Sequence, residues 1–234
     1  MRVAIMQPTY LPWPGYFGLM QSVDLFIVLD SVQFAKRSWQ QRNRIKSSLG
    51  PIWLTVPIET KGKRSQKICE ARVNVEQEHG QKHAKTLRSN YAKAQHFDEY
   101  GPELISKLEK PETLLVDLNL KLLLHCRELL GIKTPIMRSS EMQGSGVRAE
   151  LLASLCAEVN ASEYISPPGS KEYLIHSNAF EKLGIPVRYF SYDQREYTQL
   201  FGEFMPYLSV VDLILNCGSA STGLVQSGSK VFPD

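Results

Sequence analysis

The sequence predicts an α/β fold built on a parallel sheet, and three observations carry that expectation. An apolar strand, a helix and a second apolar strand follow one another within the first thirty residues, the βαβ signature. The alternation of helices with short strands returns between residues 132 and 234. At 234 residues, with 43% hydrophobic and 22% charged side chains, the chain has the composition and length to bury a sizeable core.

Val3 to Met6 reads as a short buried strand, and Pro14-Gly15 as the turn into a helix over about Tyr16 to Ser22. Leu25 to Leu29 (LFIVL) is a second apolar strand that ends at Asp30. A polar, basic and aromatic loop follows, SVQFAKRSWQQRNRIKSSLG, and then a third strand, Ile52 to Val56. TKGKRSQKIC, basic with a central glycine, reads as a mobile loop. Leu87, Tyr91 and Ala94 stand at helical spacing and predict a helix from about Glu76 to Ala94. Leu115, Leu118, Leu122 and Leu129 form the stripe of another, Leu114 to Leu130, ended by Gly131.

Ile136-Met137 is a weak strand. A helix over Arg148 to Val159, a strand over Glu163 to Ile165, the loop SPPGSKEYL and a helix to Leu183 come next. Val187 to Phe190 is a strand, and a last helix runs from about Tyr207 to Leu215. No internal repeat or low-complexity tract interrupts this order, so we expect one α/β domain over 1–234. Residues 1–75 form its first βαβ half with the site loops, 76–131 a helical insertion, and 132–234 the second half.

The composition narrows the function classes. A formal net charge of +3 admits an anionic small molecule but gives no DNA-binding surface. Cys69, Cys126, Cys156 and Cys217 lack CxxC spacing, against a zinc knuckle or a disulfide scaffold. No leader pattern opens the chain and no apolar run approaches the ~20 residues that span a bilayer. The expectation is a soluble, cytoplasmic protein.

The odd polar segments fall where strands end, which is where ligands bind in parallel α/β sheets. Gln7 to Tyr16, QPTYLPWPGY, offers the Gln7 amide, the Tyr10 and Tyr16 hydroxyls and the Trp13 face, on a backbone fixed by Pro12 and Pro14. Gly15 permits close approach. Lys36, Arg37, Trp39, Gln41, Arg42, Asn43 and Arg44 combine cations with amides and an indole. Such a set suits a phosphate or carboxylate beside a stacked ring. Ser166 to Lys171, with Gly169, is a candidate anion cradle at a helix start but lacks the P-loop pattern. GSGVRAE (Gly144 to Glu150) reads as an ordinary helix entry.

His79 and His83 stand four apart in HGQKH but lack a third ligand, so they read as surface histidines and no metal is expected. His83, with Lys82, Lys85 and Arg88, could alternatively join a basic ligand face. His96, His125 and His176 lack evident partners, and Cys126 and Cys156 read as core thiols.

QPTYLPWPGYF, DSVQF, SWQQRNRIK, PIWLTVPI, KHAKTLRSNYAKAQHF, SPPGSKEYL and LSVVDLILNCG, in that order, resemble the WbqC-like protein family over nearly the whole chain. That family is linked to bacterial gene clusters for O-antigen and other surface glycans. More distantly, the first strand, turn and helix resemble HIGH-type nucleotidylyltransferases and pantothenate synthetase-like enzymes. Thr9 then matches their threonine and Gly15 their glycine, while Trp13 and Tyr16 fall where two histidines stand. FIVLDSVQF resembles their second strand and glutamine loop, which brings in Gln33.

The resemblance implies a three-layer, Rossmann-like nucleotidylyltransferase-type fold, with residues 76–131 folded over the site as a cap. It also implies an enzyme that transfers an acyl or aminoacyl group to the amine of a nucleotide-linked amino sugar. Asp30 or His83 is the expected general base, and ATP or an acyl or aminoacyl donor the co-reactant. An adenylate-forming or nucleotidyl-transferring enzyme, with Lys171 and Arg42 replacing the histidines, is the alternative. A non-catalytic binding or scaffold protein is the third.

Overall fold

The computed structural model describes residues 1–232. Its sheet is laid down by β1 (Arg2–Met6), β2 (Leu25–Val28), β5 (Ile136–Arg138), β6 (Glu163–Ser166), β7 (Val187–Tyr192) and β8 (Ser229–Phe232). Their order across the sheet is β5-β2-β1-β6-β7-β8, with only β8 antiparallel to its neighbour. The fold is therefore α/β, with a mostly parallel six-stranded sheet.

Both faces of the sheet's centre are covered, which is why β1 and β2 read as continuous apolar runs. Val3, Ile5, Leu25, Ile27 and Tyr164 point to one face and pack on α5 (Ala149–Glu158) and Phe180. Ala4, Phe26, Val28 and Ile165 point to the other. There they meet α1 (Pro14–Gln21), the second half of α4 (Leu115–Leu129), α8 (Val210–Cys217) and α9 (Ser221–Gly228). Two short helices, α6 (Lys171–Leu174) and α7 (Ala179–Lys182), connect β6 to β7. Cys126 and Cys156 are buried, as expected of core thiols.

The third predicted strand does not join this sheet. It is β4 (Gly50–Thr55), paired antiparallel with β3 (Arg42–Ser47), a strand hidden in what reads as a loop. Only Ser48 and Leu49 separate the two strands, and a parallel crossover needs a dozen residues or more. Gly50 takes φ +108°, and the Ser47 hydroxyl donates to its carbonyl at 2.7 Å.

A third core lies behind the hairpin, where Ile45, Leu54 and Val56 pack against α2 (His79–Tyr91), α3 (Phe97–Glu109) and the start of α4. The sequence does not announce α3, because Gly101-Pro102 reads as a break. Gly101 is there for a packing reason: a Cβ at that position would lie 2.8 Å from the Phe97 ring. Helix α9 and strand β8 were also unforeseen, since Ser, Thr and Gly dilute their apolar pattern. No helix among the described residues is long and apolar enough to cross a membrane.

Candidate functional site at the strand switch point

The sheet order reverses between β1 and β6, one neighbour leading on to β2 and the other to β7. These strands pair only at Arg2–Glu163 and Val3–Tyr164, whereas β1 and β2 pair over four positions. Beyond Val3 the two chains are free to splay. A crevice opens at that point, in two adjoining parts of about 460 and 350 Å³ that share Met6, Thr9, Trp39, Pro167 and Gly169. Open α/β sheets bind ligands at this position, beyond the strand ends at the switch point.

The turn after β1 builds one wall. Leu11 is fully buried at φ +44°, a left-handed conformation that costs a leucine energy. Asn43 holds it there: its Nδ2 donates to the carbonyls of Tyr10 (3.2 Å) and Leu11 (2.7 Å). The Tyr10 amide in turn donates to the Trp39 carbonyl at 3.0 Å. Turn and hairpin are thereby joined side by side, and Thr9, Trp13, Trp39, Asn43 and Arg44 line one cavity.

Pro14 opens α1 at the position where its missing N–H costs nothing. A Cβ on Gly15 would lie 2.2 Å from Cη2 of Trp13, so glycine is what lets the indole lie across the helix start. Trp13 is further fixed by edge contacts with Tyr192 and Tyr207 at 5.3 and 5.7 Å. Gly15→Ala is therefore expected to push Trp13 off the wall. It should weaken a stacked ligand by about 1 kcal/mol or more, and moving the indole off Tyr192 and Tyr207 should also cost about 1–3 kcal/mol of stability. Calorimetry beside a thermal melt checks this, and unchanged affinity would remove Trp13 from the ligand.

Tyr207 comes from the loop before α8, which is anchored from within the fold. The buried Lys46 ammonium donates to Gln199 Oε1 at 3.0 Å and to the Gly202 carbonyl. Gln199 Nε2 donates to Asp212 Oδ1 at 2.9 Å, and the Tyr91 and Tyr197 hydroxyls complete that carboxylate at 2.6 and 2.8 Å. Burial pushes the Asp212 carboxyl up, against the three hydrogen bonds that favour its charge.

The crevice gathers some of the expected residues. Gln7, Thr9, Trp13, Asn43 and Gly169 line it, and Gly15 supports its wall. Ser166 is buried at the end of β6, its hydroxyl donating to the Pro167 carbonyl at 3.2 Å. Tyr10 and Tyr16 are fully buried; Tyr16 donates to the Gln7 carbonyl at 3.2 Å and serves the turn from beneath.

The others lie elsewhere. Gln41 is buried between the Arg37 amide and the Val56 carbonyl, and Arg37 itself is exposed. Arg42 stacks over Trp53 at 4.3 Å, and Lys171 over Tyr189 at 4.8 Å. Gln33 donates to the Arg64 carbonyl at 2.8 Å, in a separate basin. The helix after Ser170 has only four residues, which weakens the reading of an anion cradle.

Neither expected base reaches the crevice. Asp30 is fully buried and its carboxylate is saturated. Oδ1 accepts from the Ser140 amide (2.8 Å) and Ser139 hydroxyl (3.2 Å), and Oδ2 from Arg138 Nε and the Ser140 hydroxyl (both 2.8 Å). This clamp ties the end of β2 to the end of β5. His79 and His83, expected at the surface, are buried: His83 faces the hairpin from α2, while His79 lies beside Leu108, Pro111 and Thr113. His83 Nδ1 lies 2.8 Å from the Tyr10 hydroxyl, and the ring also bonds the Thr55 backbone. No group of three His, Cys, Asp or Glu among the described residues could hold a metal.

Burial pushes the His83 imidazole down from its ordinary 6.5 to about 4, outweighing the Thr55 bond that favours its charge. The unfolded chain therefore binds the proton first as pH falls. This contribution to stability is complete above pH 6.5 and is lost by about pH 4, at a cost of about 3 kcal/mol. Denaturant melts across that range check it. His83→Gln should remove about half of the fall, because burial pushes the neighbouring His79 down to about 4 as well, and an unchanged profile would contradict the assignment.

Tyr207, Ser38, Gln40 and Ser170 are polar lining residues that the sequence did not single out, and Arg44, named there within the basic stretch, is the cation of that stretch that reaches the lining. Alternation in RNRIK was the available signal: Arg42 and Arg44 share the Trp53 face of β3, while Asn43 and Ile45 face inward. Arg44 Nε is buried without a hydrogen-bond partner in a wall with Trp13, Trp39 and Tyr207. Among the described residues, no Asp, Glu, His, Cys or Lys lines the crevice.

Comparison with known proteins agrees with this layout in extent. The model of the WbqC-like protein family matches residues 7–223, from the first residue of the turn to the last helix. "Uncharacterized protein Rv1507c" of Mycobacterium tuberculosis (strain ATCC 25618 / H37Rv) is 40% identical over 220 residues, which cover 93% of this chain and 94% of that protein. No solved structure matches the chain. The matched span includes every crevice-lining residue except Ile5 and Met6, and on that footing the chain belongs to the WbqC-like protein family.

Proposed function

We propose that the crevice binds a nucleotide-linked amino sugar and that the protein is an enzyme of surface-glycan synthesis, transferring an acyl or aminoacyl group to the sugar's amine. The observation that carries the reading is the buried, unpartnered Arg44 Nε within the aromatic wall at the switch point. A nucleotide sugar brings a ring to stack, a diphosphate for the guanidinium, and hydroxyls for Gln7, Thr9 and Ser170. In the transfer, the amine nitrogen bonds the acyl carbon and the leaving group departs with the electron pair. The amine's proton passes to that leaving group or to water. The crevice's part is to hold the reactants together, a contribution that can be large without a protein base.

The lack of an Asp, Glu, His, Cys or Lys in the described lining favours, as a second reading, a binding protein without turnover. For the adenylate-forming alternative, the candidate substitutes Lys171 and Arg42 are both engaged on aromatic rings outside the lining. Thermal unfolding against UDP-, dTDP- and GDP-linked amino sugars, ATP and CoA separates the readings. A ligand at a hundredfold over its Kd adds about 2.7 kcal/mol, roughly 5–10 °C here. Stabilisation by one sugar nucleotide, with an acylated product by mass spectrometry, is the expected result. Binding without product favours the second reading, and a response to ATP alone would displace both.

A further inference from the structure

The basic segment Thr60 to Lys67, unassigned by the crevice, is tied down rather than loose. Gln33 bridges Lys67, the Phe34 amide donates to the Gln66 carbonyl at 2.9 Å, and Gln33 Nε2 holds the Arg64 carbonyl. Between this segment and residues 33–36 lies a basin of about 600 Å³. Lys36, Lys63 and Arg64 line it. Lys63 pairs with Glu59 at 2.9 Å, and Lys36 and Arg64 enter no ion pair among the described residues. The wall also holds Gln66, which is 8% exposed. Its Nε2 donates to the Glu59 carbonyl at 3.2 Å, but its buried Oε1 has no donor. A buried acceptor left unmet is costly and calls for a partner.

We infer that this basin is a second ligand site, for a phosphate-bearing small molecule that also carries a hydroxyl or amino donor. Lys36 and Arg64 meet the phosphate, and Gln66 Oε1 meets the donor. The basin and the crevice share one loop: Gln33 to Lys36 line the first, and Ser38 to Gln40 the second. The Ala35 amide donates to Gln40 Oε1 at 2.9 Å, and Gln40 Nε2 donates to Gln7 Oε1 at 2.8 Å, so the two sites are connected by hydrogen bonds. A phosphorylated co-reactant would then bind beside the crevice. The inference stands on the basin's own chemistry, whatever the crevice holds.

Calorimetric titration of the full chain with inorganic pyrophosphate, ADP and adenosine 3′,5′-bisphosphate tests it, the last two separating a 5′-diphosphate from a bisphosphate source. Saturable binding of at least one is expected, weakened about tenfold or more in the double variant Lys36→Gln/Arg64→Gln and within about twofold of wild type in Arg44→Leu. Gln66→Leu should weaken ADP more than pyrophosphate, which carries no sugar hydroxyl and no amino group. The inference is overturned if none of the three binds, or if the double variant binds them as wild type does. Loss in Arg44→Leu alone would place the phosphate in the crevice, refuting the second site while supporting the first.

Discussion

Arg44→Leu is expected to weaken the crevice ligand by about 10- to 150-fold, the 1.5–3 kcal/mol of a hydrogen bond to a charged group. The same substitution should leave the melting temperature unchanged or raise it. In the free protein the buried Nε lacks a partner, and such a group destabilises until something meets it. Removing it relieves that cost and leaves apolar stem volume beside Trp39 and Trp53. Affinity falling while stability holds is the signature of a side chain kept for a ligand. A fall in both would mean that Arg44 supports the hairpin instead.

Asp30→Ala should act in the opposite way, lowering stability by about 3–5 kcal/mol, the summed cost of the four hydrogen bonds to its carboxylate, while Arg138, partly exposed, keeps Asp117 and Glu141 at 3.6 and 3.7 Å. For a chain of this size that is roughly 6–20 °C in melting temperature. The deletion strands Arg138 Nε together with the Ser140 amide and hydroxyl, and it loosens the ends of β2 and β5. A general base behaves otherwise, with the protein melting normally and turnover collapsing. That outcome for Asp30→Ala would return the residue to the chemistry and refute the clamp.

The sheet was legible because strands buried on both faces leave unbroken apolar runs such as LFIVL, and because βαβ units fix parallel pairing. The hairpin was not. In RNRIKS one face stacks cations on tryptophan while the other buries Asn43 and Ile45, so no apolar run marks the strand. The turn QPTYLPWPGY showed its importance through its prolines and aromatics. Composition could not say which rings face the crevice, because that depends on the left-handed Leu11 and the Asn43 bonds that hold it. Tyr10 and Tyr16 carry hydroxyls as a ligand site would, yet both are spent on internal partners.

The same limit applies to the charged candidates. Asp30 looks like a base at a strand end until four donors are counted around it, and His83 like a surface imidazole until the hairpin covers it. Among the described residues none of α2, α3 or α4 lines the crevice; they act through the hairpin they support and through Asn119 of α4, whose Nδ2 donates to the Gln40 carbonyl at 2.8 Å.

The chain has three tryptophans. Trp13 and Trp39 line the crevice, and Trp53 lies 5.3 Å from Trp39. Tryptophan emission titrated with UDP-, dTDP- and GDP-linked amino sugars therefore reports directly on the central claim. We expect saturable quenching by one of them, at the concentration that raises the melting temperature, and its loss in Trp39→Ala. A sugar nucleotide that stabilises the protein without changing the emission, or a panel that changes neither, would contradict a nucleotide-sugar site at the switch point.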